Sequence, residues 1–117
     1  MAHYIETASK QETAVLVALA TPQQPSPQAK EYLDELTLLA HTLGIKTIAT
    51  FMQRLDKPHV STLIGKGKLA ELSAFVKDHQ VDKVIFDDEL TPSQTRNLET
   101  ALQCQVLDRN LLILSIF

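Results

Sequence analysis

The first strong pattern along the chain is an apolar run of seven residues without alternation, Ala14-Val15-Leu16-Val17-Ala18-Leu19-Ala20. A strand with one wetted face alternates; an unbroken run suits a strand covered on both faces, as a central strand of a parallel sheet is. Thr21 to Ser26 interrupts the run with two prolines. Ser26-Pro27 then reads as a helix N-cap followed by proline at the first helical position. Tyr32, Leu33, Leu36, Leu39, Ala40 and Leu43 recur at helical spacing, which predicts a helix with one apolar face, closed by Gly44. Ile45 to Arg54 has strand composition and Leu55 to His59 breaks it. A short strand-like stretch, Thr62-Leu63-Ile64, leads into Gly65-Lys66-Gly67-Lys68, and Leu69, Leu72, Phe75 and Val76 mark a second helix.

Val81 to Phe86 is the third predicted strand, with Asp87-Asp88-Glu89-Leu90 as its exit loop. Thr91-Pro92-Ser93-Gln94 opens another helix, with proline at the first helical position and glutamine placed to complete a capping box. Leu98, Ala101 and Leu102 supply its inner face, and Gln105-Val106-Leu107 forms a short fourth strand. Asp108-Arg109-Asn110 leaves that strand, and Leu111 to Phe117 begins an apolar segment. Ending without a cap or polar tail, that segment is expected to continue in a longer chain; the alternative is a helix that packs back on the sheet.

Strands alternating with helices through short connections predict an α/β fold: an open, four-stranded, parallel sheet with helices on both faces. The first strand is the most apolar, so the expected strand order is 2-1-3-4. The expected organisation is an arm over 1–12, an α/β domain over 13–108 and the start of a helical segment over 109–117. At 117 residues, 44% hydrophobic and 21% charged, the chain is one globular domain in size and composition. Its single cysteine, Cys104, excludes an internal disulfide and argues against a zinc site, which points to a reducing compartment. No apolar stretch approaches the ~18 residues of a membrane span. Met1 to Glu6 lacks the basic start and apolar core of a signal peptide, so the expected location is the cytoplasm.

The formal net charge of -3 excludes attachment to nucleic acid by bulk charge, so any such contact must be local. Ligands of open parallel sheets bind beyond the carboxyl ends of the strands. Arg54 and Asp56 leave strand 2, Asp87, Asp88 and Glu89 leave strand 3, and Asp108 and Arg109 leave strand 4. Ordinary surface pairing would produce the same polarity. Gly65-Lys66-Gly67-Lys68 is the sharper feature, because the glycines precede a helix whose free amides and dipole favour an anion. Lysines there oppose the dipole unless a phosphate lies nearby. It is neither a Walker A loop nor a G-x-G-x-x-G fingerprint: one residue separates the glycines, Leu69 follows Lys68, and Ala70 stands at the third glycine position. A tight turn with solvated lysines is the plainer use of the same residues. Between Gln53 and Lys68, Arg54, Lys57, Lys66 and Lys68 face only Asp56, whereas Asp87 to Glu89 is wholly acidic. The acidic loop is better placed to order itself and favour the next helix than to hold a metal. His3, His41, His59 and His79 have no ligand spacing, and no nucleophile–base arrangement is present, so a free-standing small enzyme is the weakest reading.

Three separated blocks carry a resemblance. They are Gln53-Arg54…Asp56…Pro58…Thr62-Leu63-Ile64-Gly65-Lys66-Gly67-Lys68-Leu69-Ala70-Glu71-Leu72, then Phe86-Asp87-Asp88-Glu89-Leu90-Thr91-Pro92-Ser93-Gln94-Thr95-Arg96-Asn97-Leu98-Glu99, then Val106-Leu107-Asp108-Arg109 with the apolar residues to Phe117. In this order they resemble the N-terminal domain of the HflX-type GTP-binding proteins, over about residues 14–117. Leu63 stands where the family usually has tyrosine or phenylalanine, and Asn110-Leu111 where it often has Thr-Gly. The resemblance implies a ribosome-associated GTPase as parent, whose missing GTPase domain would hold GTP and Mg. It implies no catalytic residue and no cofactor in this fragment. It further implies contact with large-subunit ribosomal RNA and restraint of the parent's own GTPase domain. Arg54, Lys57, Gly65, Lys66, Gly67 and Lys68 are then the phosphate- or RNA-binding candidates. Asp56, Asp87, Asp88, Glu89, Asn97, Asp108 and Arg109 are the interaction or loop-ordering candidates. The alternative is an ATP-binding module built on the Gly65–Lys68 turn. The fragment is expected to be a monomer or weak dimer.

Overall fold

The structure is a computed structural model and describes residues 10–116; most of the expected arm, residues 1–9, lies outside the described residues. The elements run β1 (Thr13–Ala20), α1 (Ser26–Thr42), β2 (Lys46–Arg54), α2 (Lys66–His79), β3 (Lys83–Phe86), α3 (Pro92–Leu102), β4 (Gln105–Asp108) and α4 (Arg109–Ile116). The four strands form one sheet in the order β2-β1-β3-β4, every neighbouring pair parallel. The open α/β sheet expected from the pattern, with strand order 2-1-3-4, is the observed one.

β1 explains the unbroken apolar run. Val15, Val17 and Leu19 face a core shared with Leu72 and Val76 of α2 and Leu98 and Leu102 of α3. Ala14, Leu16 and Ala18 face the opposite core, shared with Leu33, Leu36 and Ala40 of α1 and Leu112 of α4. Period-2 alternation thus sends consecutive residues to two different dry faces. Each fully buried Leu, Val or Phe in these layers contributes about 1.5–3 kcal/mol.

Local chemistry sets most of the boundaries. Gly44 has φ +76°, and its N–H and that of Ile45 donate back to His41 and Ala40, closing α1 as a Schellman turn. Thr91 and Gln94 form the expected capping box at α3, each side chain bonded to the other's backbone N–H at 3.0–3.1 Å.

Three local expectations are corrected. Ser26 is not the N-cap of α1: Pro25 is, with no side-chain cap, and Pro27 sits in the second helical position. The Ser26 hydroxyl instead accepts a hydrogen bond from Arg54 Nε at 3.2 Å. Val81 and Asp82 are not in β3. Val81 donates to Val76 in the turn that leaves α2, and the Asp82 carboxylate takes the Thr13 N–H at 2.8 Å. Thr62-Leu63-Ile64 is not a strand, because a tight turn there consumes its backbone groups.

Candidate functional site

All four strands run the same way, so their exit loops gather on one edge, where they form two lobes of opposite charge. The basic lobe joins the end of β2 to the start of α2. Gln53 makes the junction: its side-chain oxygen accepts the Gly65 N–H at 2.8 Å. A Cβ on Gly65 would come within 3.1 Å of the Gln53 amide nitrogen, so glycine permits this approach. The Gly65 amide is therefore committed to the protein, contrary to its expected offer to phosphate. Gly67 is different, since a Cβ there would meet nothing within 4 Å.

Lys68 is also partly committed. Its Nζ lies 3.1 Å from Glu71 and 6.0 Å from the centre of the Phe51 ring. This pairing offsets the cost of a cation in the first turn of α2 without an external anion. Lys57 and Lys66 are exposed, and among the described residues neither forms an ion pair. Arg54 and Asp56 line a cavity of about 540 Å³ with Ala20, Thr21, Pro22 and Pro25, at the carboxyl ends of β1 and β2. The Gly65–Lys68 turn lies outside that lining.

The connection between β2 and α2 is locked. His59 and Leu63 exchange backbone hydrogen bonds at 2.9 and 3.0 Å, and Ile64 N–H donates to the Thr62 carbonyl at 2.7 Å across Leu63. Leu63 is buried and has φ +67°. For a bulky side chain this left-handed conformation stores about 1–3 kcal/mol, held by its surroundings. The surroundings come from α3. Buried Gln94 donates to the His59 carbonyl at 3.1 Å, and Asn97 donates to the Ser61 carbonyl at 3.0 Å. Sequence reasoning found the capping role of Gln94 but not this second bond, for which no local pattern exists.

The acidic lobe is knotted to itself. Asp87, its side chain 6% exposed, takes Arg109 Nε and Nη2 at 2.7 and 2.6 Å. Arg109 also donates to the Tyr32 carbonyl at 2.8 Å and lies 3.5 Å from Glu35, which ties β4 and α4 to α1. Buried Asp108 accepts the Leu111 N–H at 3.0 Å, capping α4, and the Leu90 N–H at 3.0 Å. Asp88 accepts the Leu19 N–H at 3.2 Å. Burial pushes the Asp88 carboxyl above the ordinary range, the Leu19 bond opposes this, and neighbouring Asp87 adds to it. Glu89 is exposed. Burial, with help from Glu99 and Asp82, pushes the Cys104 thiol up to about 11. Among the described residues no group of three His, Cys, Asp or Glu is placed to hold a metal ion, and no helix is long and apolar enough to cross a membrane.

A parallel sheet with strand order 2-1-3-4 and a divided carboxyl edge defines a doubly wound α/β domain. A family profile described as "GTP-binding GTPase N-terminal" matches residues 30–117, and the chain belongs to that family. Its curated relatives are GTPases of the HflX type. The chain is 45% identical over 112 residues to GTPase HflX of Caldanaerobacter subterraneus subsp. tengcongensis, which covers 96% of this chain and 25% of that protein. It is 40% identical over 106 residues to GTPase HflX of Flavobacterium psychrophilum, covering 91% and 26%. With GTPase HflX of Escherichia coli it shares 36% identity over 106 residues, covering 91% and 24%. The chain thus spans about a quarter of the length of these relatives. Among solved structures, SsGBP in complex with GDP is similar with a TM-score of 0.69 at 24% identity, covering 91% of this chain and 28% of that one. A GTP-binding protein of Sulfolobus solfataricus in complex with GDP gives 0.66 at 22%, covering 91% and 30%. These two likenesses concern the fold.

Proposed function

We propose that this chain is the N-terminal regulatory and ribosomal-RNA-binding domain of an HflX-type GTPase that binds or splits ribosomes in the cytoplasm. The parent is the hydrolase: GTP and Mg belong to a GTPase domain outside this chain, and the fragment itself turns over no GTP. The partners are large-subunit RNA, through the basic lobe, and the parent's own GTPase domain. The fragment alone is a monomer or weak dimer.

The observation that carries this reading is the division of the carboxyl edge. Neutral amides hold the basic lobe in shape and leave the Lys57 and Lys66 cations exposed. Each cation that neutralises a phosphate releases condensed counterion, so affinity falls with salt by a slope of about 0.7–0.9 per contact. The test is pelleting of the full-length parent with large ribosomal subunits across a salt series. Lys66→Ala with Lys68→Ala is expected to weaken binding and flatten the slope by at least one contact while leaving the fold intact. Unchanged association at every salt concentration would reduce the turn to a solvated helix start.

One observation favours the second reading, an ATP-binding module. The cavity beside Arg54 and Asp56 occupies the carboxyl edge, where nucleotides bind in other doubly wound sheets. Tight ATP binding by the wild-type domain, lost on Lys66→Ala with Lys68→Ala, would establish the module on the Gly65–Lys68 turn; loss on Arg54→Ala alone would establish it at this cavity instead.

A further inference from the structure

The β2–α2 connection is more ordered than a connection needs to be. Its tip, Val60, is 89% exposed, while the backbone on either side is fixed by five hydrogen bonds. Two of them close His59 on Leu63, one spans Leu63, and two come from Gln94 and Asn97 on a helix distant in sequence. A single exposed valine is unremarkable by itself. A valine held out at the summit of a loop that stores backbone strain at Leu63 is not, because such strain persists only where the surrounding structure enforces it. The loop also carries Lys57 at its base and leads directly to Lys66, both exposed.

From this we infer that residues 57–63 form a pre-shaped finger that presses Val60 against an unstacked nucleotide of the bound RNA, with Gln94 and Asn97 as its positioning residues. The inference rests on the RNA-binding reading of the basic lobe and adds an apolar contact to it. Folded RNA offers such a surface where loops and bulges splay bases out of the helix, and apolar side chains are used as wedges against base steps in nucleic-acid complexes. A lysine on a flexible loop would serve phosphate as well as one on a rigid loop. An apolar tip gains from rigidity, because an ordered loop loses little entropy on docking. Lys57 and Lys66 then supply the salt-dependent part of the affinity and Val60 the salt-independent part.

The test uses the full-length parent and large ribosomal subunits, with binding measured across a salt series. Val60→Ser is expected to weaken binding about three- to tenfold at every salt concentration, with the slope of log affinity against log salt unchanged. Lys66→Ala with Lys68→Ala is expected to change that slope. Asn97→Ala is expected to reproduce the Val60→Ser loss, and the double variant Val60→Ser with Asn97→Ala to be no weaker than either alone, since both remove one contact. Additive losses would overturn the positioning role of Asn97. Unchanged affinity of Val60→Ser at all salt concentrations would overturn the finger while leaving the basic lobe in place, provided the lysine variant still loses slope. Unchanged binding of both variants would overturn the RNA-binding reading together with the finger. Val60 is exposed, so its substitution does not threaten folding, and an unchanged unfolding midpoint checks this.

Discussion

The two lobes of the carboxyl edge solve the same problem, holding loops in place, with different chemistry. The acidic lobe uses its charges on itself: Asp87 is taken up by Arg109, Asp108 by two backbone amides, and Asp88 by Leu19. The basic lobe is held by the uncharged amides of Gln53, Gln94 and Asn97. Charges bonded inside the protein hold its loops and are spent as recognition elements. Neutral scaffolding leaves cations available to a partner. The contrast teaches that two lobes equally polar in sequence differ in how many of their charges they leave outward.

That comparison can be broken from either side. The largest effect belongs to the acidic knot. Arg109→Ala leaves Asp87 buried without its partner, and the chain is expected to lose about 3 kcal/mol of stability by urea unfolding. A loss below 1 kcal/mol would mean that the knot is ornamental. Gln94→Ala is expected to cost less, about 1–2 kcal/mol, because it removes half a capping box and one bond to a carbonyl but exposes no charge. Equal losses in the two variants would erase the distinction between charged and neutral scaffolding.

Gly67→Ala separates stability from recognition. The added Cβ meets open space, so the variant is expected to gain about 0.5 kcal/mol. On the proposed RNA-binding reading, the same substitution in the full-length parent is expected to weaken pelleting with large ribosomal subunits, because the added methyl stands where a phosphate would approach the first turn of α2. Retained binding together with the gain would make Gly67 dispensable to the basic lobe.

The smallest effect is the pH dependence of Asp88. Its folded-state carboxyl binds its proton more tightly than in the unfolded chain, so stability falls as pH rises from the ordinary carboxylate range through the raised value. Asp88→Asn is expected to raise the unfolding midpoint at pH 7 by a small margin, and the difference is expected to vanish below the ordinary carboxylate range. A difference that grows in acid would reverse the assigned sign.

The order of elements, the parallel sheet and the central place of β1 were legible in the chain because they depend on local, periodic information. Ala14 to Ala20 has no wet side to spare, Gly44 can adopt the left-handed turn at low cost, and Thr91 to Gln94 spells its own cap. The polarity of the carboxyl edge was also legible, since it is a count of charges between strand ends. Which charges remain outward was not. Sequence places Lys66 and Lys68 alike at one turn, yet only Lys68 is drawn to Glu71 and Phe51. It likewise places Asp87, Asp88 and Glu89 in one acidic run, yet Asp87 is paired and Glu89 is exposed. The left-handed Leu63 contradicts local preference altogether and is held by Gln94 and Asn97 from α3. Propensity and periodicity act between neighbours along the chain and therefore write the elements. The assignment of each hydrogen bond and ion pair depends on which loops the sheet brings within about 3 Å of one another, and only the tertiary structure decides that.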